Sequence, residues 1–306
     1  MFAVAPLLHI GMDFTNNYGV HPFWPLINRW FYGDAVFIAE PLLWAACAPL
    51  AITLRSRPAR GIVAVLLAIG IGLALFSGLV PLLPAITLIV VIAAMLVLAM
   101  CATPSVALVS GIALWLGVTA TFALASHFAA RRIDAVAAAA FPDAQPIDRV
   151  LTPMPANPLC WEVMLVHSQQ QSVVARRAMM ALAPSLIAAN GCLSRSLDIP
   201  GTAPLERVAA ADTTGLHWYG EIATDLEQLR RRVAADCEAA AAMRFIRAPW
   251  LTTIDRATVL GDLRYDREKA LGFAEIALRE RPGTCPRLVP DWQPPRADLL
   301  PQPDRS

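Results

Sequence analysis

The sequence predicts an α-helical polytopic membrane region of about four spans followed by a small soluble α+β domain. Three observations carry this. Of 306 residues, 57% are hydrophobic and only 16% charged, with a mean hydropathy of +0.52, a balance outside that of ordinary soluble domains. No Asp, Glu, Lys or Arg occurs between Gly61 and Ser126, a stretch long enough for about three bilayer crossings of roughly 20 residues each. Beyond His127 the composition changes to that of a soluble chain, with charges, short strand-like runs and turn residues. The formal net charge of +1 offers no field for a polyanion, which argues against nucleic acid as a partner.

The opening "MFAVAPLLHIGM" has no basic n-region, so it does not read as a cleavable signal peptide. It is also too short to cross a bilayer, and the chain is expected to begin inside a helix. Residues 1–34 then form a polar motif region at the membrane face, where His9, Asp13, Asn16, Asn17, His21 and Asp34 crowd together, with Glu40 just beyond. Groups that bind metals or move protons are costly beside a membrane, so such a cluster needs water, partners or a task.

Region 35–130 divides into spans at about 35–54, 61–80, 85–102 and 105–126. The first carries Glu40, Pro41 and Pro49 and is stopped by Arg55, Arg57 and Arg60; the later breaks fall at Pro81, Pro84 and Pro104. "ARRIDAVAAAAF" continues the last helix beyond the bilayer, "FPDAQP" ends it, and "LTPMPANP" is a proline-rich lead-in to a soluble α+β domain at 142–290. "WEVMLVHS" and "SVVARRAMMAL" read as one hairpin, "GDLRYD" and "LGFAEIAL" as another. Between them "TDLEQLRRRVAADCEAAAAMR" reads as one helix, opened by Thr224 and Glu227 at capping-box spacing. Residues 291–306 are too proline-rich to pack regularly and read as a disordered tail.

Cys47 and Cys101 lie in spans, whereas Cys160, Cys192, Cys237 and Cys285 lie in the soluble half without CxxC spacing. They read as small buried hydrophobes or as a framework with three possible pairings. If one bridge forms, it is expected between Cys192 and Cys285, the two in loop-like sequence.

His9 and Asp13 are four residues apart, so on a helix they face the same way, one turn above the other. An imidazole and a carboxylate so placed can share a divalent ion, zinc most readily; a hydrogen-bonded structural pair is the commoner meaning of the spacing. Trp24, Trp30, Phe31 and Tyr32 read as an interfacial aromatic belt, and His127 as an interfacial histidine.

The opening as a whole resembles a block of the bacterial membrane-bound metal-dependent hydrolase family, inner-membrane proteins in which H-x-x-x-D-x-x-N-N-Y-G is followed by P and by R-W-F-Y-G-D-x-x-F-I-x-D-P. His9, Asp13, Asn16, Asn17, Tyr18 and Gly19 match the first part, Pro25 the middle, and Arg29 to Asp34, Phe37, Ile38 and Pro41 the last. "ANPLCWEV", at 156–163, is similar to the family's approach to a C-terminal domain. Glu40 stands where Asp is usual, and His21 where Arg is common, which removes a positive fork. The family's upstream blocks, a T-H pair, P-D-x-D and a second T-H element, are not found in this sequence, so the resemblance implies a chain lacking the N-terminal part and holding part of a site.

What the resemblance implies is metal-assisted hydrolysis, in which an ion lowers the pKa of bound water to about 7. His9 and Asp13 would be metal ligands, Asp34 and Asn17 catalytic or substrate-orienting groups, and Glu40 a group that orients Arg29. The expected cofactor is a divalent metal, zinc; the expected partners are membrane lipids, with a lipid-related substrate and no protein partner identified. The Arg55–Arg60 loop favours the cytoplasm, against Arg29, Arg131 and Arg132 on the other side, which places the C-terminal domain in the periplasm. The competing reading is a non-catalytic polytopic membrane protein, a decayed or truncated hydrolase relative, whose C-terminal domain binds a partner.

Overall fold

The structure is a computed structural model and describes residues 4–78, 80–192, 201–278, 285–286 and 288–300. Its first helix, α1 (Val4–Phe14), leads into the motif region. A broken apolar segment follows, α2 (Pro41–Ala45) and α3 (Leu50–Thr53). Then come α4 (Arg57–Phe76), α5 (Leu82–Cys101) and α6 (Pro104–Ala140), each long and apolar enough to cross a bilayer. Ser56 caps α4 and Thr103 caps α6 with side-chain oxygens, and proline occupies the first turn of both, where its missing N–H costs nothing.

The span expected at 35–54 is thus two short apolar helices, shorter than the three that are long enough to cross a bilayer, because Pro49 cannot continue the helix begun at Pro41. Its neighbours accommodate it by lacking side chains. A Cβ on Gly70 would lie 2.5 Å from the Trp44 ring, and one on Gly111 would lie 2.6 Å from the Ala46 carbonyl oxygen, so the broken segment sits directly on the backbones of α4 and α6. Arg55–Arg60 lie at the start of α4 and the soluble domain beyond the end of α6, so three crossings by α4, α5 and α6 would put them on opposite sides of a bilayer.

At 37 residues and about 1.5 Å per residue, α6 is nearly twice as long as the roughly 30 Å hydrocarbon layer. Phe122, Ser126, Ala129, Ile133 and Ala137 are buried at helical spacing along it. They pack on a four-stranded antiparallel sheet in order β1 (Gln145–Met154), β2 (Asn157–Gln169), β3 (Ser172–Ala181), β4 (Leu216–Asp225). Strand alternation divides this sheet between two cores. Leu151, Val163, Leu165, Ala178 and Met180 face α6. Val150, Met164, Val166, Val173 and Ala175 face Trp250 and Val259 of a second sheet, β5 (Pro249–Ile254), β6 (Ala257–Asp262), β7 (Glu275–Leu278). The helices α7 (Leu226–Ala235) and α8 (Cys237–Met243) link the sheets.

The expected fold class holds: apolar helices, then a soluble domain of antiparallel sheets with some helices. The first predicted hairpin is β2–β3. In the second, "LGFAEIAL" supplies β7, but its partner β6 begins at Ala257, ahead of "GDLRYD". Several details differ for identifiable reasons. "LTPMPANP" is the β1–β2 hairpin itself, turning at Ala156 with φ 55°. The single helix expected from Thr224 is two: Asp225 caps α7, Thr224 Oγ1 instead accepts from Leu251 N at 3.0 Å, and Asp236 ends α7 and caps α8. Residues 291–300 are packed, with Leu299 buried in the second core and Trp292 stacked 4.6 Å from His21; residues 301–306 of the expected tail lie outside the described residues.

The expected Cys192–Cys285 bridge is replaced by two others, Cys160–Cys192 and Cys237–Cys285, with Cα–Cα distances of 5.6 and 5.5 Å. Cys160 sits near the start of β2 beside the buried Trp161 and reads as core, yet the turn at Ala189–Cys192 packs against that strand and brings the second sulfur to it. Cys47 and Cys101 are free. Alkylation of denatured, unreduced protein should therefore add two adducts by intact mass, and prior reduction should raise this to six. Four adducts without reduction would refute the pairing.

Candidate functional site

The motif region is two segments folded on each other, backbone to backbone. Val20 and Phe31 exchange N–H···O bonds at 3.0 Å in both directions. Thr15 O accepts from Ala35 N at 2.9 Å and from Val36 N at 2.8 Å, and Asn16 O accepts from Asp34 N. The two motif glycines are required by this closeness. Gly19 takes φ 92° under the Tyr32 ring, where a Cβ would lie 2.3 Å from it, and a Cβ on Gly33 would lie 2.3 Å from Phe14 O.

The folded motif is fastened to the soluble domain by arginines that come from far along the chain. Arg247 donates to Asp34 through both terminal nitrogens, at 2.7 and 2.8 Å, and through Nε to Asp148 at 2.8 Å. Its guanidinium lies 3.9 Å from the centre of the Tyr32 ring. Burial would lower the Arg247 pKa, but the two carboxylates more than reverse this and hold it above the ordinary value. Burial likewise acts to raise Asp148, yet Arg247 and Arg296 hold it below the carboxylate range. Next to this cluster Arg264 is paired with Asp262 and donates to Asn17 O at 2.7 Å and Phe245 O at 2.8 Å. Ser126 Oγ on α6 donates to Asp34 O at 2.7 Å, so membrane helix, motif and both sheets meet here.

Most of the residues singled out from the sequence are engaged in this fastening. Asn17 donates to Thr152 Oγ1 of β1 at 2.6 Å. Glu40 does not orient Arg29. It caps α2 by accepting from Leu42 N at 3.0 Å, and it accepts from Ala156 N at 3.2 and 3.1 Å, tying the β1–β2 turn to the start of α2. Arg29 lies instead over the Phe31 ring, 4.6 Å from its centre. The aromatic belt divides: Trp24 is exposed, while Trp30 donates to Arg244 O at 3.0 Å and Tyr32 is sandwiched under Arg247. His21, at the position where the resemblance puts Arg, packs between Trp30 and Trp292.

His9 and Asp13 are different. They face outward from α1, His9 Nε2 3.3 Å from Asp13 Oδ2, with 77% and 43% of their side chains exposed. The structure brings no third donor to them: among the described residues no group of three or more His, Cys, Asp or Glu could hold a metal ion. Catalytic zinc takes three protein ligands, so the pair by itself does not complete a metal centre.

The residues that sequence reasoning missed are Asp148, Arg247, Asp262 and Arg264. Their signal was a charge set inside strand-like apolar sequence, "PIDRVL", "RFIRAPWL" and "GDLRYD", because a charge between buried neighbours must have a partner. Truncating one partner of a buried pair typically costs about 3–5 kcal/mol. Arg247→Met, which strands Asp34 and leaves Asp148 with Arg296 alone at 3.5 Å, should lower thermal stability in detergent by an amount in that range. Asp34→Asn, which leaves Arg247 paired with Asp148, should cost less. Equal, small losses would show that the cluster is not what holds the motif down.

Three helices capable of crossing a bilayer mark the chain as a membrane protein, and comparison agrees. A family model described as YdjM inner membrane protein matches residues 1–82, the stretch that holds the motif, the short helices α2 and α3, and α4. No curated protein and no solved structure matches the chain.

Proposed function

We propose that the chain is a metal-dependent hydrolase of the inner membrane in which His9 and Asp13 supply two ligands to a divalent ion, zinc by donor chemistry. The observation that carries this reading is a contrast within one motif. Asn17, Asp34 and Glu40 each hold another part of the protein, whereas His9 and Asp13 are turned only towards each other on an open helix face. The resemblance of the stretch to the hydrolase family, and the inner-membrane family match over the same residues, support it.

A bound ion would supply a Lewis acid and an activated water, and its further donors would come from outside the described residues. What this chain's own residues do is position and shield. The helix places imidazole and carboxylate one turn apart, and the bonds from Thr15 and Asn16 to residues 34–36 fix the end of that helix on the Arg247 cluster. In this reading Asp34 and Asn17 act through α1 as positioning residues. Leu8 and Met12 are exposed beside the pair, an apolar surround suited to a lipid-related substrate.

The second reading, a non-catalytic membrane protein whose C-terminal domain binds a partner, is favoured by the same shortage of donors. Metal content separates the two. Protein extracted without chelator should carry about one zinc per chain, and His9→Ala, Asp13→Ala and the double variant should lose similar amounts, because each ligand is useful only with the other. Wild-type protein free of metal would end the hydrolase reading.

The C-terminal domain belongs in the periplasm in this account. Two disulfides suit an oxidising compartment, and Arg55, Arg57 and Arg60 lie across the membrane from them, on the side that positive charge favours as cytoplasmic. A reporter fused after Ser306 should work only if it is one that functions in the periplasm; activity of a cytoplasmic reporter would reverse the orientation.

A further inference from the structure

Between β6 and β7, remote from His9 in sequence and independent of the reading above, the soluble domain gathers oxygen atoms without the protons to join them. Thr202 Oγ1 lies 3.0 Å from Glu268 O and 3.1 Å from Ala270 O. A hydroxyl has one proton, so it can serve only one of these carbonyls. Asp266 uses one carboxylate oxygen, Oδ1, to accept from Thr202 N and Ala203 N, while its Oδ2 is buried with no partner. Glu275 uses Oε2 to accept from Gly272 N at 2.9 Å, while its Oε1 is buried with no partner.

Both acids are more than nine-tenths buried, Asp266 at 1% and Glu275 at 7% exposure. The two carboxyl groups are neighbours, within hydrogen-bonding reach of each other. Two carboxylates buried side by side cannot both stay ionised unless a positive charge lies between them. Among the described residues no arginine donates to either free oxygen. Arg177 Nε and Arg267 Nη2 both donate to Glu162, and Arg177 reaches only the main-chain oxygen of Asp266.

We propose that Asp266, Glu275, Thr202 Oγ1 and the carbonyl oxygens of Glu268 and Ala270 form a Ca2+ site that closes the β6–β7 loop onto residues 201–203. The donor set is all oxygen and mixes carboxylate, carbonyl and hydroxyl in irregular loop geometry, which is what Ca2+ accepts; Mg2+ demands a near-ideal octahedron and retains its waters. With two carboxylates the site is of modest charge, which places its affinity in the range of about 10⁻⁴–10⁻³ M found in extracellular modules.

The test uses the full chain in detergent, stripped with EDTA and dialysed. Titrating CaCl2 should raise Tm saturably by several degrees, calorimetry should count about one Ca2+ per chain, and MgCl2 at equal concentration should do little. Glu275→Gln keeps a hydrogen bond to Asp266 through its amide while removing a charge, so it should fold and should weaken the calcium response at least tenfold. His9→Ala should retain the response in full, which separates this site from the zinc reading. A wild-type Tm indifferent to Ca2+, or a Glu275→Gln variant that responds like the wild type, would overturn the proposal and leave a shared proton as the group between the two acids.

Discussion

A single buried guanidinium organises this protein. Arg247 is held by Asp34 of the motif and Asp148 of β1, its main-chain N–H is held by Asp262 of β6, and its flat face lies on Tyr32. An arginine can do this where a lysine cannot, because the planar fork meets two carboxylates and an aromatic face at once. Desolvating such a cluster is expensive, so its favourable energy is small beside the penalty for breaking it. Its effect is therefore one of specification: it fixes where the motif lies on the domain more than it adds to stability.

That cluster also explains why the fold was more legible in the sequence than the site. Hydropathy and proline placement are local, and they located α4, α5, α6 and the β2–β3 hairpin. The roles of Asp34, Asn17 and Glu40 depend on partners more than a hundred residues away, at Arg247, Thr152 and Ala156, and no local pattern records such distances. The same limit governs the cysteines. Cys160 is indistinguishable in sequence from its strand neighbours, and only the packed turn at Ala189–Cys192 identifies its partner. Asp236 broke a helix that composition alone would have continued, because its carboxylate accepts from Glu238 N and Ala239 N and so begins a new one.

The motif itself divides into two chemical kinds. Its glycines, aromatics and most of its polar groups serve close packing between two backbone segments and the sheet behind them. The His9–Asp13 pair faces outward from this packing. A long run of matching residues thus describes mainly a scaffold, and the pair proposed to bind a metal is two side chains on one short helix.

The continuous course of α6 has a mechanical consequence. It runs without a break from the bilayer into the first core of the soluble domain, where Ile133 and Ala137 are buried against the sheet. Helix and domain therefore turn as one lever. Bilayers of different thickness are met by changes in helix tilt, and a tilt of α6 within the hydrocarbon would be delivered undiminished to the sheets, swinging the domain across the lipid surface instead of flexing a linker. The thickness of the membrane would then set the height at which every group of the motif meets the lipid headgroups.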